Sequence, residues 1–71
     1  MKLKMRLDHI VFEVYIHFEE DGEVSITIYD YFNGAYVVED YMMSYFELEG
    51  QDLNHVLVEL IQDHNNYSYS I

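Results

Sequence analysis

Two alternating runs follow one another near the start of this chain, and they decide most of what it can become. In residues 8–18, DHIVFEVYIHF, the residues Ile10, Phe12, Val14, Ile16 and Phe18 take every second position. His9, Val11, Glu13, Tyr15 and His17 fall between them. A period of two puts the first set on one face of a strand and the second on the other. Residues 23–32, EVSITIYDYF, repeat the pattern, with Val24, Ile26, Ile28 and Phe32 on one side. Ser25, Thr27, Tyr29 and Tyr31 lie on the other.

The connection EEDGE fixes how these strands pair. A two-residue Asp-Gly turn would set Phe18 opposite Ser25 and break the apolar face. A three-residue loop over Glu20, Asp21 and Gly22 sets Phe18 against Val24 and Ile16 against Ile26. That loop places Gly22 in the left-handed region, where glycine alone is unstrained.

A second hairpin is centred on Asn33-Gly34, a strong short-range turn signal. A two-residue turn there pairs Phe32 with Ala35 and points Val37 at the core, with Val38 outward. Further on, Met42, Phe46 and Leu48 read as inward, and Tyr41, Tyr45, Glu47 and Glu49 as outward. Val37 and Met42 have opposite parity, so the strand needs either a bulge near Glu39-Asp40 or a break into two short strands there.

At residues 51–64 the period changes. Leu53, Val56, Leu57, Leu60 and Ile61 follow the spacing of an amphipathic helix, with Asp52 at its N-cap. Asn65-Asn66 supply a left-handed end cap. The last five residues, 67–71, form either a flexible tail or a short edge strand. The expected fold is a single α+β domain over 1–71: a three-stranded antiparallel β-sheet in β-β-β-α order. One C-terminal amphipathic helix covers one of its faces. The other face is left bare, with His9, Val11, Glu13, Tyr15, His17, Tyr29, Tyr31, Tyr36, Val38, Tyr41, Met43 and Tyr45 on it.

A 71-residue chain without cysteine has no disulfides or thiolate metal sites. It must pack densely or gain a second subunit. Its 51% hydrophobic content can supply such packing, and a homodimer is the other route. The 14 acidic residues face only Lys2, Lys4 and Arg6, for a net charge of −11. This exceeds what solubility alone calls for in a small domain, a magnitude of about 2–8. A chain so charged repels nucleic acid and anionic lipid and is drawn to basic surfaces. The opening MKLKMRL has the basic residues of a leader, but Asp8, His9 and Glu13 interrupt the apolar run a leader needs. No stretch approaches the length of a membrane helix. The expectation is a soluble, cytoplasmic protein.

Chemistry finds little purchase. His9 and His17 share a strand but lie about 26 Å apart at strand rise, too far for one ion. His55 and Glu59 are two potential ligands on one helix face without a third. No serine sits on a nucleophile elbow, and no glycine-rich loop is present. The expectation is therefore a non-enzyme without metal or cofactor. Tyrosine-rich surfaces, in contrast, suit protein recognition, because tyrosine brings contact area at low entropic cost. The candidate partner-binding residues are Glu13, Tyr15, Glu19, Glu23, Tyr29, Tyr31, Tyr36, Asp40, Tyr41, Tyr45 and Glu47. Alternate residues of a strand repeat every ~6.6 Å, so carboxylates in a row can run like a phosphate backbone. Asp52, Glu59 and Asp63 extend the field over the helix.

In size, acidity, lack of cysteine and element order the chain resembles small phage-encoded anti-defence inhibitors. Anti-CRISPR proteins, anti-restriction proteins and inhibitors of uracil-DNA glycosylase are of this kind, and many of them mimic DNA. Acidic immunity proteins and ribonuclease inhibitors are similar for the same physical reason. The resemblance rests on no motif and carries over no residues. It implies an inhibitor that occupies the basic nucleic-acid-binding surface of a host enzyme, in the host cytoplasm. The alternatives are a homo-oligomeric structural or assembly protein and an immunity-type nuclease inhibitor.

Overall fold

The computed structural model describes residues 1–64. It contains β1 (Lys2–Leu7), β2 (Ile10–Phe18), β3 (Glu23–Asp30), β4 (Ala35–Ser44), α1 (Tyr45–Glu49) and α2 (Leu53–His64). The strands form one antiparallel sheet in the order β1-β2-β3-β4. The α+β class and the helix-covered sheet agree with the sequence reading. The three-stranded sheet and single helix are corrected to four strands and two helices among the described residues.

The extra strand is β1, at the beginning of the chain. Its residues alternate as strictly as those of β2: Leu3, Met5 and Leu7 pair with Val14, Phe12 and Ile10. Lys2, Lys4 and Arg6 pair with Tyr15, Glu13 and Val11. Directly paired residues share a sheet face, so all three cations stand on the face away from the helix. Asp8 and His9 do not belong to a strand. They make the β1–β2 turn, with Asp8 at φ 58°, a region that aspartate tolerates better than most residues.

The β2–β3 hairpin has the expected register, with Phe18 opposite Val24 and Ile16 opposite Ile26. Glu19 donates its amide to Glu23 O at 2.8 Å, and Gly22 has φ 86°.

The second hairpin does not turn on two residues. Asp30 pairs with Ala35, so the loop holds Tyr31, Phe32, Asn33 and Gly34. The cause is the buried Asp30 carboxylate. Its Oδ1 accepts the amides of Phe32 (2.8 Å) and Asn33 (3.1 Å), and its Oδ2 accepts Asn33 Nδ2 at 2.6 Å. Gly34 N also donates to Asp30 O at 2.9 Å, with Gly34 at φ 65°. A two-residue turn would need positive φ at Asn33 too, and the Asp30 side chain removes that need. Phe32, expected in the core, is therefore 76% exposed at the loop tip.

Strand β4 carries two register shifts against β3 where the sequence suggested one. The first follows Tyr36 and brings Val38, not Val37, opposite Ile28. Val38 is buried and Val37 packs partly against the core. The second lies at Glu39-Asp40, as expected, with Asp40 at φ 51°. Asp40 N donates to Thr27 Oγ1 (3.1 Å), and Ser25 Oγ donates to Asp40 Oδ1 (3.3 Å). Two shifts reverse the assignment beyond them. Tyr41 and Met43 pair with Ile26 and Val24 on the helix side, and Met42 pairs with Ser25 on the open side.

The chain then leaves the sheet. Ser44 Oγ accepts the amides of Phe46 and Glu47 at 3.1 and 3.3 Å, capping α1. Residues expected to continue the strand are thus helical: Tyr45 leaves the open face, and Phe46 is almost fully exposed. Helix α2 behaves as its period requires. Asp52 Oδ1 accepts the amide of Asn54 at 3.2 Å, and Val56, Leu57, Leu60 and Ile61 are buried. They meet Leu7, Phe12, Val14, Ile16, Val24, Ile26, Ile28, Val38 and Met43 in one core. The Asn65-Asn66 cap and the 67–71 tail lie outside the described residues.

Leu57 has no exposed surface. Leu57→Ala should cost about 2–5 kcal/mol in urea denaturation, the usual penalty for a large-to-small change in a core. Asp30→Ala, which strips three donors of their acceptor, should cost about 1–3 kcal/mol in the same measurement.

Candidate interaction surface

The register divides the candidate residues into three groups and leaves Asp40 in its bulge. The first group lies on the open face. Glu13 stands in the middle of it, opposite Lys4 on β1 and Tyr29 on β3. It is buried although no helix among the described residues covers this face: Glu13 is only 4% exposed. Tyr15, two residues along the same strand face, donates its hydroxyl to Glu13 Oε1. Tyr31 donates to Glu13 Oε2 at 2.9 Å from the loop that follows β3. Lys2 Nζ lies 3.6 Å from Oε1 and 6.0 Å from the centre of the Tyr15 ring.

Around this carboxylate the rings form a cluster. Tyr29 meets Tyr31 at 5.3 Å and Tyr36 at 5.0 Å between centroids, both edge to face, the arrangement favoured by the aromatic quadrupole. Tyr15, Tyr31 and Tyr36 remain about half exposed. Glu13 therefore works as a tether. It fixes two phenols by their hydroxyls and leaves the rings facing outward.

Hydrogen bonds from Tyr15 and Tyr31 hold the Glu13 carboxyl below its usual range, and Lys2 and Lys4 act in the same direction. The reciprocal bond to Glu13 pushes the Tyr15 phenol up to about 12, with desolvation adding to it. The Tyr31 phenol is raised for the same first cause.

The second group is a pocket at the end of the β2–β3 hairpin, lined by Phe18, Glu19, Glu20, Gly22, Glu23 and Tyr45. The Tyr45 amide donates to Gly22 O at 2.9 Å, which joins the start of α1 to the loop. Phe18 and Tyr45 meet at 6.0 Å with an angle of 76° between their planes. Sequence periodicity assigned Phe18 to the core. Its position at the end of β2 instead leaves it half exposed.

The third group lies between β4 and the helices. Tyr41 and Glu47 line a groove with Met43, Gln51, Glu59 and Asp63. Tyr41 also packs edge-on against His64 at 5.6 Å. On the outside of α2, His55 Nε2 lies 2.9 Å from Glu59 Oε1. Among the described residues, no group of three or more His, Cys, Asp or Glu side chains is arranged to hold a metal ion.

The sequence thus identified residues that do line these surfaces, but not how they divide. It missed Lys2, Lys4 and Arg6 as members of the open face. Their alternation with Leu3, Met5 and Leu7 was the available signal. Expected rows of carboxylates do not run along that face. Glu13 is enclosed there by phenols and a lysine, while Glu19, Glu20, Asp21 and Glu23 gather at the hairpin end. Glu47, Glu59 and Asp63 line the helix-side groove.

No protein-family model matches this chain, and comparison with curated proteins and with solved structures found no match.

The Glu13 network has a pH signature. Folding raises the Tyr15 pKa, so this contribution to stability is complete below the ordinary phenol value and is lost as pH rises through about 12. Glu13 has the opposite sign. Its contribution is present above the ordinary carboxylate range and is lost as pH falls through its depressed value. In a spectrophotometric titration of the phenols, one tyrosine should ionise at about 12. In Glu13→Gln that late step should move back toward the ordinary value of about 10.

Proposed function

We propose that this chain is an acidic inhibitor that docks on the basic nucleic-acid-binding surface of an enzyme, of the CRISPR-effector, restriction or repair kind. The observation that supports this reading is the segregation of charge. Lys2, Lys4 and Arg6 all belong to β1 and to one sheet face, and one of them is engaged by Glu13. The hairpin end and the helix-side groove carry carboxylates without a Lys or Arg among the residues that line them. Such surfaces steer association with a positive partner and repel nucleic acid. Mimicry of DNA charge is the narrower form of the proposal, in which these carboxylates take the places of phosphates.

The exposed Tyr15, Tyr31 and Tyr36 favour a second reading, a homo-oligomer formed through the open face. Tyrosines fixed in place lose little entropy on association. Sedimentation at several concentrations separates the two, because a strict monomer rules out the oligomer.

For the inhibitor, affinity for the target enzyme should fall at least about tenfold between ionic strengths of about 0.05 and 0.5 M, where screening shortens from beyond 10 Å to a few Å. Added DNA or RNA should displace the chain. Salt-insensitive binding would overturn the electrostatic reading. A ternary complex with nucleic acid still in its groove would overturn mimicry.

A further inference from the structure

The pocket at the hairpin end combines features that the other surfaces do not. It is a cavity of about 350 Å³ walled by the two rings of Phe18 and Tyr45 and rimmed by Glu19, Glu20 and Glu23. We infer that it receives one arginine side chain of a protein partner. The inference rests on the proposed acidic-inhibitor reading and gives that reading a specific anchor.

Three observations select this occupant. The first is charge. The pocket carboxylates have no Lys or Arg within ion-pair distance among the described residues. Glu19 approaches only His17, at 3.8 Å. An apolar visitor would strip water from three acids and give nothing back, which is costly. An anion would be repelled.

The second is the aromatic wall. The rings of Phe18 and Tyr45 stand at 76° to one another with their centroids 6.0 Å apart, and both residues line the cavity. The negative face of an aromatic ring attracts a cation, most often the guanidinium of arginine. Arginine also presents five donors in a flat fork that matches carboxylates, whereas lysine is a compact, strongly hydrated point charge.

The third is preorganisation. The bond from Tyr45 N to Gly22 O, the Ser44 cap of α1 and the bond from Glu19 N to Glu23 O hold the backbone on both sides of the cavity before any partner arrives. A preformed site avoids much of the ordering cost of binding.

The test uses the full chain and an oligoarginine peptide, with oligolysine of equal length as the comparison, followed by fluorescence anisotropy at low salt. Phe18→Leu with Tyr45→Leu keeps the net charge and apolar bulk and removes both ring faces. Both side chains are about half exposed, and a near-UV spectrum and urea midpoint report whether the fold survives. The parent should prefer oligoarginine to oligolysine. The double variant should bind oligoarginine roughly tenfold more weakly and lose the preference, as removal of a cation–π anchor predicts. Ring-proton shifts of Phe18 and Tyr45 should saturate with a Gly-Arg-Gly tripeptide and stay still with its norleucine counterpart.

A double variant that binds oligoarginine as the parent does overturns the pocket and leaves the acidic-inhibitor reading standing. Unmoved ring protons overturn it too. Should the parent bind neither peptide at low salt, the broader reading falls together with the pocket.

Discussion

One helix can cover one sheet face, and the organisation of this chain follows from that limit. The apolar stripe of α2, Val56, Leu57, Leu60 and Ile61, is spent on the face built from Phe12, Val14, Ile16, Val24, Ile26 and Ile28. Among the described residues no second layer covers the opposite face, which must withstand water. It does so with side chains that are apolar in the ring and polar at the tip. Glu13 ties two of those tips together, so the exposed face has an anchored centre where loosely held rings would otherwise stand. The same limit shapes the rim. Phe18 continues the core face of β2 and is half exposed at its end, and Tyr45 on α1 is the neighbour it meets there. What began as an uncovered end of the core becomes the wall of a pocket.

Much of the fold was legible in period and parity. The β2–β3 register, the left-handed Gly22 and the buried positions of α2 follow from alternation, loop length and helical spacing. Two of the misses share a physical character: a side chain competed with a backbone preference. Asn33-Gly34 is a strong turn signal, but the carboxylate of Asp30, three residues before Asn33, captures the loop amides and widens the turn. Ser44-Tyr45-Phe46-Glu47 fits the spacing of a helix capping box, and Ser44 does cap a helix where aromatic alternation suggested a strand. At β1 the alternation of Leu3, Met5 and Leu7 carries a strand signal, but the basic residues between them also fit the start of a leader.

The residues of the candidate surfaces can be picked out in the sequence, but their grouping in space cannot. Grouping depends on register, and register past Tyr36 depends on two bulges. One bulge places Tyr41 with the open-face tyrosines. Two place it across the sheet, against His64. Asp40 shows how such a shift is held: its left-handed backbone is fastened to Thr27 and Ser25 on the neighbouring strand. These polar contacts are long-range in sequence, so no local window reveals them.

The place of β1 at the rim of the sheet has a consequence for how copies of this chain can meet. A strand with an open side is a template for further strands. Were a second β1 to add antiparallel with like faces aligned, Lys4 would oppose Lys4 and Lys2 would oppose Arg6, with side chains only about 5 Å apart. The far rim, β4, is broken by two bulges that spoil a straight ladder. Among the described residues, both borders of the sheet thus carry a feature that opposes edge-to-edge addition, repulsion at one and irregularity at the other. The alternating cations that hid β1 in the sequence act as a stop at the end of the sheet.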